Sequence, residues 1–237
     1  MPPVPESQAP RAYRQHRFTP PPGAADLIIV RHGESAPQTY EAPSPLVDGR
    51  SDPPLDPVGH EEARLVAARL TGQDIAAIYV TTLRRTAETA APLAAALGLT
   101  PRVEADLVEV QLGEWEGAAF REKTRSGDPL AAKMFIEGRW DVIPGAEPQD
   151  AFLARLRAGI GRIAAAHPDQ RVVVVTHGGV IGGLLSLATG AHPFAFVGAS
   201  NASITHLVVA GDRWIVRRFN DTGHLGTDLD RPAEPLT

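Results

Sequence analysis

Two short apolar runs each break off into histidine and glycine, and they constrain this chain more than any other feature. Leu27-Ile28-Ile29-Val30 leads into Arg31-His32-Gly33, and Val172-Val173-Val174-Val175 leads into Thr176-His177-Gly178-Gly179. Four apolar residues in a row, without polar alternation, mark a strand buried on both faces of a parallel sheet. In open α/β sheets ligands bind beyond the carboxyl ends of the strands. If the two strands are neighbours, His32 and His177 converge there. The glycines that follow allow close backbone approach and leave N–H groups for an anion.

The rest of the chain alternates helix and strand. Asp56-Pro57 predicts a helix start, with Asp as N-cap and Pro at N1. Ala63, Val66, Ala67 and Leu70 then recur on one helical face. Ile75 to Val80 reads as a strand. A helix from about Leu83 follows, with Ala87, Ala90, Ala91 and Ala94 on one side and Gly98 as its stop. Another helix, from about Asp150, carries Leu153, Leu156, Ile160 and Ile163. Ile204–Val209 and Trp214–Phe219 read as a hairpin around Gly211-Asp212. The expected fold class is α/β, a three-layer α/β/α arrangement with a mostly parallel central sheet closed by antiparallel strands. Residues 118–147 are more polar and less regular, and read as an insertion or lid. Residues 1–25 are proline-rich without apolar periodicity, so they read as a disordered leader, with 26–237 as one domain.

Composition removes several functions. The net charge of -5 argues against nucleic acid or an anionic membrane as partner. No apolar stretch approaches the roughly 20 residues of a membrane span. The chain shows no apolar core of a secretory signal, so the expected location is cytoplasmic. Cysteine is absent, which leaves His, Ser, Thr, Lys, Tyr or a carboxylate as nucleophile. No pair of histidines has a compact metal-ligand spacing with carboxylate partners, so no metal site is expected. Self-association as a homodimer stays open.

Several boxes occur in a fixed order. Arg31-His32-Gly33-Glu34-Ser35 follows the first strand, and Leu55-Asp56-Pro57-Val58-Gly59 opens the first helix. Leu83-Arg84-Arg85-Thr86-Ala87-Glu88-Thr89-Ala90 comes next, then Leu107-Val108-Glu109 with Gly113-Glu114-Trp115-Glu116-Gly117. The second histidine box, Asn201-Ala202-Ser203-Ile204 and Asn220-Asp221-Thr222-Gly223-His224-Leu225 complete the series. From about Leu27 to Leu225 the chain resembles the histidine phosphatase superfamily, which includes the cofactor-dependent phosphoglycerate mutases.

The resemblance implies a phosphomonoester hydrolase with a phosphoglycerate mutase-like fold, a small phosphorylated substrate, and no metal or organic cofactor. A mutase that returns the phosphoryl group to its product is the alternative. The resemblance makes His32 the nucleophile and Glu109, rather than Glu114 or Glu116, the general acid. Arg31, Arg85 and His177 bind the phosphoryl group, and Arg84 is left on the surface. Gln38 stands where the family has a phosphate-holding Asn; it keeps the amide and adds a methylene. Glu62 replaces a common Gln on a helix face read as structural. These residue types suit the chemistry. Only a neutral imidazole has a lone pair for phosphorus, and nearby arginines favour that form. Guanidiniums meet phosphoryl oxygens with charge-assisted bonds.

Overall fold

Strand β1 (Ala25–Arg31) runs through the middle of the molecule, with every residue from Ala25 to Val30 buried. The computed structural model describes residues 15–226. Residues 1–14 of the expected leader lie outside the described residues. The part of that leader within them touches the domain: Gly23 N–H donates to Asp169 Oδ1 at 2.6 Å, and the Arg217 guanidinium lies 3.8 Å over the Phe18 ring.

Two short strands, β2 (Leu46–Val47) and β3 (Arg50–Ser51), form a separate ribbon. The main sheet comprises β1, β4 (Ala77–Val80), β5 (Arg102–Val103), β6 (Arg171–Thr176), β7 (Ile204–Ala210) and β8 (Arg213–Asp221). Its spatial order is β5-β4-β6-β1-β7-β8. The first four in that order are parallel, and the β7–β8 hairpin closes the sheet antiparallel. This is the expected mostly parallel sheet. The two apolar runs are indeed neighbours: Leu27 pairs with Val172, and Arg31 with Thr176.

The helices are α1 (Pro57–Leu70), α2 (Arg84–Leu97), α3 (Ala118–Ser126), α4 (Pro129–Glu137), α5 (Gln149–Ala166) and α6 (Gly178–Thr189). Strand side chains alternate between faces, so each face has its own core. Ile28, Val30, Val173 and Val175 pack with Val66 and Leu70 of α1 and Leu93 of α2. Leu27, Ile29, Val172 and Val174 pack on the other face with Phe152, Leu156 and Ile160 of α5 and Leu184 of α6.

The predicted helix start at Asp56 is present: its side chain accepts from the Gly59 N–H at 2.8 Å. Gly98 ends α2 in the left-handed conformation, φ 65°. The irregular segment 118–147 holds two short helices, α3 and α4, each ended by a left-handed glycine, Gly127 and Gly138. No helix among the described residues is long and apolar enough to cross a membrane.

Candidate active site

Because Arg31 pairs with Thr176, the next residue of each strand, His32 and His177, leaves the sheet side by side. Their ring centroids are 5.2 Å apart, edge to face. His32 N–H is still tied to the sheet, donating to Thr176 O at 2.9 Å. Its own carbonyl accepts from Asn201 Nδ2 at 3.0 Å and Ala202 N–H at 3.2 Å. The main chain on either side of the ring is therefore fixed.

The ring is fixed too. His32 Nδ1 lies 2.7 Å from the carbonyl oxygen of Gly33. A carbonyl only accepts, so Nδ1 carries the proton and Nε2 keeps its lone pair. Burial, and then the Arg85 and Arg31 guanidiniums, hold the imidazole well below its ordinary pKa. His32 is thus a neutral base with a defined tautomer, on the wall of a cavity of about 360 Å³.

Arg31, Gln38, Arg85 and Glu109 line the same cavity. Arg31 donates to Ala199 O. Arg85, buried at the start of α2, donates to Ser51 O at 2.9 Å. Burial pulls its pKa down to about 10, with Glu109 opposing the shift, so it stays charged at neutral pH. The Glu109 carboxylate accepts from Val110 N–H at 2.9 Å and from Gly179 N–H, in the first turn of α6, at 3.1 Å. Gln38 Oε1 accepts from Ser51 Oγ at 2.5 Å, so its amide N–H groups are the part left for a ligand.

His177 sits apart from the others. It is fully buried behind His32 and does not line the cavity. Its Nε2 lies 2.9 Å from Thr81 Oγ1, and its Nδ1 has no hydrogen-bond partner. Burial and then Arg85 keep it well below the ordinary histidine pKa. The Thr81 hydroxyl also accepts from Leu83 N–H at 3.3 Å and lies 3.2 Å from Thr86 Oγ1, so the ring is anchored to a hydroxyl network at the start of α2.

Of the neighbouring box residues, Glu116 lines the cavity and braces its loops, while Arg84, Glu62 and His224 stay outside its lining. Arg84 is half exposed and faces Glu88. Glu116 accepts from Ser51 N–H and Leu112 N–H. Glu62 accepts from Glu34 N–H at 2.7 Å, which holds the loop after His32. His224 faces Ala202 O at 3.0 Å.

The wall beside Glu109 is apolar. An added Cβ at Gly179 would meet both Glu109 Oε1, at 2.6 Å, and the Trp140 ring, at 3.4 Å. Phe194 packs on Trp140 with centroids 4.6 Å apart, and Phe120 at 6.1 Å. The sequence reading missed this wall, because Trp140 and Phe194 are far apart in the chain. Arg121 and Arg125, one turn apart on α3, both line the cavity.

Residues 27–222 match the sequence profile of the Histidine phosphatase superfamily (branch 1). Phosphoglycerate mutase-like protein 4 of Arabidopsis thaliana is 34% identical over 206 residues, 85% of this chain and 87% of that protein. The metal-independent phosphoserine phosphatase of the same plant is 29% identical over 206 residues, 85% and 84% of the two chains. The solved structure of a mycobacterial glucosyl-3-phosphoglycerate phosphatase superposes with a TM-score of 0.68 at 26% identity, covering 84% of this chain and 100% of that one.

Proposed function

The chain belongs to the histidine phosphatase superfamily, and from that premise we propose that it hydrolyses phosphomonoesters through a phosphohistidine at His32. One observation carries the reading: the Gly33 carbonyl holds the proton on Nδ1 and so keeps a lone pair on Nε2 at the cavity wall.

In the first step the Nε2 lone pair forms a bond to phosphorus and the bond from phosphorus to the ester oxygen breaks. The Glu109 carboxyl delivers its proton to that oxygen, and the alcohol leaves. Arg31 and Arg85 bear on the phosphoryl oxygens, while His177, outside the cavity lining, packs edge to face on the His32 ring. In the second step water attacks phosphorus, the bond to nitrogen breaks, and Glu109 takes the proton from water. The enzyme is then back in its starting state.

Brief incubation with labelled 4-nitrophenyl phosphate and an alkaline quench should leave the phosphoryl group on His32. Label on another residue, or full turnover by His32→Ala, would overturn the assignment.

The mutase reading has one observation in its favour. Arg121 and Arg125 give the cavity two cations beyond the phosphoryl cradle, suited to a second acidic group on the substrate. Phosphate release and isomer formation from 3-phosphoglycerate, measured in one tube with 2,3-bisphosphoglycerate present, separate the two. We expect phosphate to accumulate faster than 2-phosphoglycerate; tenfold faster isomerisation would make the chain a mutase.

A further inference from the structure

We infer that Glu147 is a positioning residue for this reaction: through Arg50 and Arg155 it fixes the main chain that carries Glu109. The inference rests on Glu109 being the proton donor proposed above. Neither Glu147 nor Arg155 lines the cavity, and nothing in the sequence boxes singles them out.

The segment leading to Glu109 is held by side chains rather than by a sheet ladder. Arg155 Nη1 donates to Asp106 O at 2.7 Å and to Val108 O at 2.6 Å. Thr176 Oγ1 donates to the carbonyl between them, Leu107 O, at 2.7 Å. The Glu109 carbonyl accepts twice, from Arg50 Nε at 2.6 Å and from Arg155 Nη2 at 3.1 Å. Four consecutive carbonyls therefore end on side chains from β3, α5 and β6.

Two guanidiniums converging on one carbonyl oxygen repel each other. Glu147 is the countercharge between them. It takes Arg155 in a two-pronged pair, Nε to Oε1 at 2.6 Å and Nη2 to Oε2 at 2.8 Å. Its Oε2 also faces Arg50 Nη2 at 3.4 Å. The Glu147 side chain is only 12% exposed and those of both arginines 14%, so solvent screens the triad little. The main chain joins in, with Glu147 N–H donating to Gln111 O at 2.9 Å. Glu109 is thus anchored at its carbonyl by this triad and at its carboxylate by two N–H groups. A shift of the triad moves the carboxyl relative to the ester oxygen.

A displaced acid has a specific signature. An alkyl phosphate needs its leaving oxygen protonated as the bond breaks, whereas 4-nitrophenolate leaves with little help. The test compares kcat/KM, which ends at phosphohistidine formation, for 2-phenylethyl phosphate and 4-nitrophenyl phosphate. Glu147→Gln should lose about tenfold to a hundredfold on the alkyl ester and less than threefold on the aryl ester. Arg155→Lys keeps the charge and removes the fork. It should show the same split, with near-ultraviolet circular dichroism reporting that the fold is intact. Glu109→Gln is the reference for lost proton donation. Equal losses on both esters, or no loss on the alkyl ester, in the folded variants would overturn the inference. A Glu109→Gln variant without the split would overturn the acid assignment and this inference with it.

Discussion

The neutral state of His32 is set by its surroundings at the scale of single side chains. Burial is the largest cause, and the Arg85 and Arg31 charges add to it. Replacing Arg85 by Gln removes one cation while leaving the burial. The His32 titration, followed by NMR of labelled histidine, should then move upward toward the ordinary value near 6.5. An unmoved midpoint would mean that Arg85 acts on the ligand alone. A second prediction concerns Thr81. Its hydroxyl anchors the His177 ring at 2.9 Å, and Thr86 keeps that hydroxyl in place through its own bond to Thr81 N–H at 3.0 Å. Thr81→Val preserves shape and removes the bond. Turnover on every ester should fall as the His177 ring loosens behind His32, and stability by about 1–3 kcal/mol, because the buried Leu83 N–H also loses its acceptor. A loss confined to one substrate would contradict a role at the phosphoryl group.

Among the elements, the contact between the His32 loop and the start of α1 is the tightest in the site region. A Cβ on Gly59 would lie 2.0 Å from Glu34 O, and one on Gly33 would lie 2.6 Å from Gly59 O. Both obstacles are main chain and cannot swing aside. Gly59→Ala should destabilise the protein by about 1–3 kcal/mol, the usual cost of overpacking, and lower activity through the displaced loop. Denaturant unfolding and ester hydrolysis on the same preparation check this; an unchanged variant would show that the two elements are free to part. Elements of this kind were legible in the sequence where local chemistry decides them. The apolar runs of β1 and β6, the Asp56-Pro57 start of α1 and the Gly98 stop of α2 all lie where expected. Strand β5 was missed because it is two exposed residues, Arg102 and Val103, defined only by pairing with β4. Helices α3 and α4 were read as irregular, although Asp128-Pro129 caps the second and glycines end both. They are tied to the core by few residues, Phe120 of α3 against Trp140 and Ala131 and Met134 of α4. The triad of Arg50, Glu147 and Arg155 was not legible, since Glu147 and Arg155, eight residues apart, meet Arg50 from 97 residues away only in the fold.

Across the whole molecule, the same buried histidines make stability depend on pH. His32 and His177 stay neutral in the folded state well below the ordinary value, while an unfolded chain protonates both near 6.5. Their contribution is complete above that value and is lost as the pH falls below it. Each group removes up to about 1.4 kcal/mol per pH unit. Carboxylates act later: burial raises Asp26, but the bonds from His206 and Arg171 outweigh it and leave the group lowered. Its stabilisation is present above roughly pH 4 and lost as acid protonates it. Denaturant midpoints should therefore drop between pH 7 and pH 5, before carboxylates titrate. A flat profile over that interval would show that both rings take up their protons in the folded protein. The pairing of β1 with β6 also has a consequence in time. The two histidines touch, yet His177 is made 145 positions after His32. At ordinary synthesis rates the ribosome needs roughly ten to thirty seconds to cover that interval. Throughout it the nascent chain carries His32 without the strand that orders it, so reactivity switches on late and all at once.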